Sequence, residues 1–157
     1  MVSASDTSAA QAAPRYEITC DAARFDIGAI HAYLATSYWS PGIPRAVVER
    51  AVAHSLCFGL LCDGAQAGFA RVVTDRATFA YLADVYVLDA HRGQGLGKRL
   101  IAAVMAHPDL LGLRRMLLAT RDAHGLYAPF GFAPLAAPDR LMEILRADVY
   151  RGTSPAG

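Results

Sequence analysis

Between Thr78 and Leu88 the chain reads Thr-Phe-Ala-Tyr-Leu-Ala-Asp-Val-Tyr-Val-Leu, and shortly afterwards Arg92-Gly93-Gln94-Gly95-Leu96-Gly97-Lys98-Arg99. A strand that is apolar on both faces belongs in the middle of a sheet covered on both sides. The glycines that follow free the backbone of Cβ atoms where it turns out of that strand. Beyond them the apolar spacing predicts a helix from Gly95 to His107, ended by Pro108, and a second buried strand over Arg115–Thr120. Strand, helix and strand in this order predict a right-handed βαβ crossover with the two strands parallel. Any fold open to this chain has to contain that unit.

The remaining segments complete a sheet around it. Arg15 to Cys20 alternates and reads as a first strand. Phe25, Ile27, Ile30, Tyr33 and Leu34 form a helical stripe with Asp21 or Asp26 near its start. A second helix is expected over 44–54, where Pro44 suits the first helical position. Leu56–Cys62, Asp63-Gly64 and Ala65–Thr74 form a hairpin signature, because Asp-Gly accepts the positive φ of a tight turn. After the crossover, 122–128 reads as a short helix, Gly131-Phe132 begins another strand, and Leu141–Tyr150 reads as the last. The order β-α-α-β-β-β-α-β-α-β-β is an α+β mixture on one sheet. A length of 157 residues suits one domain, expected over 14–150. It lies between an Ala- and Ser-rich disordered tail at 1–13 and a flexible C-terminus at 151–157.

Charge and cysteine usage narrow the function classes. Fifteen Lys and Arg against fourteen Asp and Glu leave a formal charge of +1, without the basic excess of a nucleic-acid-binding surface. No apolar run approaches the ~18 residues a membrane span needs. The first residues lack the basic and apolar regions of a secretory signal, so the cytoplasm is expected. Cys20, Cys57 and Cys62 are odd in number and lack a zinc spacing, so no metal is expected; Cys57 and Cys62 read as small buried hydrophobes. With 54% apolar and 18% charged residues, the chain has an apolar excess that predicts a buried sheet, a ligand cleft or a subunit interface.

The glycine loop itself predicts an anion site. It is not a P-loop, because Arg92 stands where the first glycine belongs and Arg99 stands in place of Ser or Thr. Nor is it a dinucleotide fingerprint, since its glycines are spaced GxGxG. A plain turn would not call for glycines at 93, 95 and 97, each of which costs backbone entropy. Arg92, Lys98 and Arg99 also crowd the positive end of a helix dipole, where an acidic residue would stabilise. Cations in that position predict a bound phosphate held by helix N-terminal amides.

At this point the chain resembles a known family. Arg92-Gly93-Gln94-Gly95-Leu96-Gly97 is similar to the R/Q-x-x-G-x-G/A signature of the GNAT superfamily, the GCN5-related N-acetyltransferases. Asp84-Val85-Tyr86-Val87 resembles the end of that family's central strand, and Tyr127-Ala128-Pro129-Phe130-Gly131-Phe132 resembles its Y-x-x-x-G-F segment. The resemblance covers about residues 15–150 and is densest over 79–132. It implies the acyl-CoA N-acyltransferase fold: a mixed, mostly antiparallel central sheet, helices on both faces, and a V-shaped splay between strands 78–88 and 115–120, with a bulge in the central strand. It further implies acetyl-CoA as cosubstrate. The backbone of Arg92, Gly93, Gln94, Gly95, Leu96, Gly97 and Lys98 would grip the pyrophosphate. The pantetheine arm would lie in the splay against the backbone of Tyr86, Val87 and Leu88, as an extended peptide adds to a sheet. An amide near Val87 would stabilise the oxyanion.

Chemical roles follow from the same resemblance. Tyr127 would protonate the departing thiolate, a fair match for a phenol of pKa ~10; a core tyrosine is the plain alternative. Tyr81 stands where some members carry a glutamate base. Asp84, the nearest carboxylate, either binds the acceptor ammonium and relays its proton or forms an ion pair within the sheet. Asp122 stands near a position where relatives contact the cofactor through Asn, and His124 either assists Tyr127 or faces solvent. The loop Tyr38–Ile43 borders the acceptor cleft in the family, and its Trp39 faces either a substrate or the interface of a homodimer. The expectation is an enzyme that transfers acetyl to a primary amine of a small molecule by direct attack in a ternary complex. Acetylation of a protein or peptide amine is the near alternative, and a non-catalytic acetyl-CoA sensor the distant one.

Overall fold

The computed structural model describes residues 10–152, so the tail expected over 1–13 and the flexible end expected over 151–157 lie largely outside the described residues. Five strands form one sheet in chain order: β1 (Tyr16–Thr19), β2 (Leu56–Cys62), β3 (Ala65–Thr74), β4 (Phe79–Val87) and β5 (Arg115–Leu118). The pairs from β1 to β4 are antiparallel, and β4 with β5 is parallel. Helices α1 (Ile27–Leu34) and α2 (Arg45–Ala53) separate β1 from β2. Helix α3 (Leu96–Ala106) makes the crossover, and α4 (His124–Tyr127) follows β5. No helix among the described residues is long and apolar enough to cross a membrane.

Local chemistry accounts for most of these boundaries. Asp63 and Gly64 join β2 to β3 with φ of 48° and 86°, both in the left-handed region that a tight hairpin requires. Asp63 also accepts a hydrogen bond from the backbone N–H of Arg15, which ties the entry of β1 to the hairpin tip. Both candidate caps operate: Asp26 accepts from Ala29 N–H at the start of α1, and Asp21 caps a preceding 3-10 turn. Pro44 sits at the N-cap of α2, one position earlier than expected.

The sheet is covered on both faces. On one, Phe58, Leu60, Val72 and Leu82 pack with Leu100, Ile101 and Val104 of α3; on the other, Cys57, Phe69 and Tyr86 pack with Ile30, Leu34 and Val48 of α1 and α2. Each such aliphatic or aromatic side chain contributes about 1.5–3 kcal/mol by leaving water. The expectation that β4 is buried on both faces needs correction, because Phe79 is 39% and Tyr81 37% exposed. Helices α1 and α2 cover β4 only near Tyr86, so its first half lies open on that side.

A second correction concerns the C-terminal strands. Residues after Phe130 form no strand among the described residues, so neither Gly131-Phe132 nor Leu141–Tyr150 enters the sheet, and the outer edge of β5 is unpaired. Alternating Leu141-Met142-Glu143-Ile144-Leu145 marks a segment ready to be a strand, but a strand exists only where a neighbour supplies the ladder. Here Met142 is 97% and Ile144 88% exposed.

Candidate active site

The site begins with a fault in the ladder between β3 and β4. Phe69 pairs with Tyr86 and Arg71 with Ala83, so Ala70 alone stands opposite both Asp84 and Val85. This is a β-bulge, and Asp84 occupies it with φ of 53°, a left-handed conformation that costs a non-glycine residue about 1–3 kcal/mol. The extra residue reverses the alternation of β4. Before it Ala80 and Leu82 face α3; after it Val85 and Val87 do. Beside the bulge, a Cβ on Gly68 would lie 2.6 Å from the carbonyl oxygen of Tyr86, so only glycine lets β3 approach there.

Pairing of β4 with β5 runs from Phe79–Arg115 to Leu82–Leu118 and then stops. Beyond it the two strands part around a cleft of about 1210 Å³, with 83–87 on one lip and 119–123 on the other. Leu88 N–H donates to Ala67 O at 2.8 Å, which turns its backbone toward β3; the Tyr86 carbonyl faces the same way, against Gly68. By strand alternation the polar backbone of Val87 faces the cleft. Of the predicted trio Tyr86, Val87 and Leu88, Val87 therefore brings its peptide groups to the splay. Its carbonyl accepts from Arg92 Nε at 3.0 Å. The Tyr86 ring turns the other way, stacked on Tyr33 with centroids 3.8 Å apart. Its hydroxyl is buried without a partner, and that burial raises its pKa.

At the α3 end the loop is shaped by Gly93 and Gly95, with φ of 79° and 72°. Gly95 is the N-cap of α3 and offers no side-chain cap. The first helical bond from this turn is Arg99 N–H to Gly95 O, so the amides of Leu96, Gly97 and Lys98 have no intrahelical acceptor. The cations divide into two roles. Arg92 pairs with Asp89 at 2.8 Å and reaches Val87 O and the Tyr33 hydroxyl, so it braces the loop. Lys98 and Arg99 are exposed and pair with no carboxylate among the described residues, and Lys98 lines the cleft. Gln94 is tied down by its Nε2 donating to the Tyr16 hydroxyl at 3.2 Å.

Tyr127, the last residue of α4, lines the same cleft. It is 8% exposed and meets Phe132 edge-on at 5.9 Å. Burial, with a smaller push from Tyr38, lifts its phenol up to about 12, so it carries its proton at neutral pH. His124 and Asp122 are exposed, and Asp122 lies 3.8 Å from Arg121. Asp84 accepts on both oxygens, from Arg71 Nε at 2.7 Å and from Trp39 Nε1 at 3.0 Å. The Arg71–Asp84 ion pair is mostly buried, with side chains 19% and 11% exposed. Cys57 is packed at the foot of α2 and burial pushes its thiol up to about 12, which leaves it inert.

The loop between α1 and α2 touches both lips. Trp39 reaches Asp84 on the β4 side. Tyr38 carries the Arg121 guanidinium over its ring at 4.0 Å and accepts from Arg121 N–H at 3.3 Å on the β5 side. Sequence reasoning places this loop at the cleft but misses Arg71, Arg121 and Tyr33. One signal was available for Arg71: it is the lone charge in the mostly buried strand Ala65–Thr74.

A mixed sheet prised open where two parallel strands diverge, with free helix amides beside the gap, is the architecture of the acyl-CoA N-acyltransferases. The chain belongs to the acetyltransferase (GNAT) family, whose sequence model matches residues 29–132, and it is an N-acetyltransferase of that kind. A Gibberella zeae protein named as an acetyltransferase is 30% identical, over 71% of this chain and 75% of its own length. The crystal structure of a GNAT-family protein from Xanthomonas campestris pv. campestris is 54% identical and superposes with a TM-score of 0.86, covering 88% of this chain and 99% of its own. A CoA-bound aminoglycoside N-acetyltransferase shares the fold at 21% identity and a TM-score of 0.59, over 87% of this chain and 97% of its own.

Proposed function

We propose that the protein transfers acetyl from acetyl-CoA to a primary amine of a small molecule, by direct attack in a ternary complex. The observation that carries this reading is the splay itself, with the uncapped amides of Leu96, Gly97 and Lys98 at one end and the protonated Tyr127 lining the same cleft. The chain fits the cosubstrate. Gly93 to Lys98 would hold the pyrophosphate on backbone N–H groups with Lys98 as counter-charge, while the peptide groups of Val87 would pair with the pantetheine arm. The same fold holds CoA in the aminoglycoside N-acetyltransferase. When bound, acetyl-CoA supplies the thioester that an uncharged amine attacks.

The remaining chemistry belongs to this chain. Tyr127 keeps a proton on its hydroxyl oxygen for the leaving sulfur, and burial keeps it neutral while it waits. The amide of Val87 would polarise the reacting carbonyl. Asp84, oriented by Arg71 and Trp39, would hold the acceptor ammonium at the cleft until its proton passes to water. A small acceptor is favoured over a protein because Tyr38 and Trp39 reach from the α1–α2 loop to the two lips and narrow the access to the cleft.

Calorimetry with acetyl-CoA and a thiol-release screen over an amine library test this together. Micromolar binding with turnover on a small amine is expected. Absence of binding would overturn the site, and turnover confined to peptide amines would transfer the reading to a protein acetyltransferase. Tight binding with inactivity on every acceptor would make the protein a sensor.

A further inference from the structure

Among the described residues four aromatic side chains stand well open to solvent, and three of them line the cleft. Tyr38 is 47%, Trp39 40% and Tyr81 37% exposed and all border it, while Phe79 is the fourth and does not. Rings left uncovered inside a concavity, rather than scattered over a surface, mark the place of an apolar ligand. They gather near one carboxylate. Trp39 Nε1 donates to Asp84 at 3.0 Å, so the indole edge adjoins that oxygen, and Tyr81 lies on the same strand as Asp84. Tyr38 in turn meets Trp39 edge-on with centroids 5.0 Å apart.

Charge in the cleft is the second observation. Among the described residues that line it, the carboxylates are Asp84 and Asp122, and each already faces an arginine: Arg71 at 2.7 Å and Arg121 at 3.8 Å. One ammonium still finds room, because a carboxylate offers about four acceptor positions and Asp84 uses only those met by Arg71 and Trp39. A second ammonium on the same molecule would find no uncompensated carboxylate and would meet Arg121 and Lys98 instead. Resting on the acetyl transfer proposed above, we infer that the acceptor is a monoamine whose nitrogen is carried on an aromatic ring by a short alkyl arm. Its ammonium would bind Asp84 while its ring packs on Trp39 and Tyr81. The arm is short because the indole that would stack the ring also donates to the carboxylate that would hold the nitrogen. The nitrogen, having lost one proton to water, bonds the acetyl carbon while the carbon–sulfur bond breaks. The sulfur keeps that bond's electrons and takes the Tyr127 proton, and the proton then shed by the nitrogen restores Tyr127.

Thiol release compares phenethylamine, its saturated counterpart cyclohexylethylamine, spermidine and the aminoglycoside kanamycin. For phenethylamine kcat/KM is expected to exceed that for cyclohexylethylamine about 10-fold, and those for the two polycations about 100-fold. Cyclohexylethylamine or either polycation matching it would overturn the proposal. Trp39 is the one tryptophan of the chain, so its fluorescence reports the same contact without turnover. With CoA bound, phenethylamine is expected to shift that fluorescence, and cyclohexylethylamine to need about 10-fold higher concentration. A shift with no thiol release from any amine would keep the acceptor class and overturn the acetyl transfer. Absence of a shift, with turnover intact on another amine, would overturn the class alone, and absence of both would overturn the two together. Tyr81→Ala should bring the phenyl-to-cyclohexyl ratio toward one with acetyl-CoA affinity unchanged, and Tyr81→Phe should keep it. A ratio that survives both Tyr81→Ala and Trp39→Leu would overturn the proposal.

Discussion

At the α3 end of the cleft the protein presents backbone; at the α1–α2 end it presents side chains. The loop from Arg92 to Lys98 is a set of amides whose directions are set by two left-handed glycines, and its one braced cation comes from the same few residues. The α1–α2 end is a web of contacts between distant positions: Trp39 with Asp84, Tyr38 with Arg121, Arg71 with Asp84, Tyr33 with Tyr86. A backbone site tolerates many side chains but few conformations, while a side-chain site tolerates the reverse. Substitutions at the two ends should therefore separate cosubstrate binding from acceptor handling.

The largest effect is expected between the two ends, at Tyr127. Tyr127→Phe removes only the hydroxyl and with it the donated proton, so kcat should fall about 10²–10³-fold while calorimetric affinity for acetyl-CoA stays unchanged. Turnover at the wild-type rate would make Tyr127 a core residue. The pH dependence carries the same assignment. The donor must be protonated, so its contribution is lost as pH rises through its pKa. With burial lifting that value up to about 12, kcat should show no alkaline fall below about pH 10, where an ordinary phenol would already titrate.

At the side-chain end, Asp84→Ala would leave the Arg71 guanidinium largely buried with only Ser55 Oγ at 3.2 Å. Loss of one partner of a buried pair costs about 3–5 kcal/mol, read as a lowered denaturant midpoint. Asp84→Asn should cost less, because Asn tolerates the positive φ and its one carbonyl oxygen can still accept from Arg71. If both variants melt like the wild type, the web does not hold the bulge. At the backbone end, Gly95→Val forces a β-branched residue to φ near +72°, at about 1–2 kcal/mol. The loop can relieve that strain only by rotating its amides, so affinity for acetyl-CoA should drop about 10-fold, with acceptor KM unchanged.

This division also explains what the sequence made legible. The glycine loop and the Asp63-Gly64 hairpin are local, and their residue types announce a backbone conformation within a few positions. The Asp21 and Asp26 caps are legible for the same reason. The family's bulge and splay follow from the resemblance and appear where Asp84 and Leu82 place them. The role of Arg92 as a brace does not follow, because a cation in a phosphate loop reads the same whether it meets a ligand or Asp89. Arg121 and Tyr33 stay hidden because their partners lie 83 and 59 residues away, joined only by the fold. Leu141–Tyr150 shows the converse: strand-like alternation records what a segment can do and says nothing about whether its own chain supplies the neighbour.

The smallest predicted effect is the most discriminating between the two ends. Trp39→Phe keeps an aromatic ring beside Tyr33 and Tyr38 but removes the indole N–H that donates to Asp84. A hydrogen bond to a charged acceptor contributes about 1.5–3 kcal/mol, and less here because Trp39 is 40% exposed and water can replace it. A rise of about 3- to 10-fold in acceptor KM is expected, with acetyl-CoA affinity unmoved, measured by varying each substrate at saturation of the other. The carboxylate would remain fixed by Arg71 alone, so stability should change by less than in Asp84→Ala. If Trp39→Phe instead weakens acetyl-CoA and spares the acceptor, the bridge from Trp39 to β4 serves the cosubstrate lip, and the two ends are not separate devices.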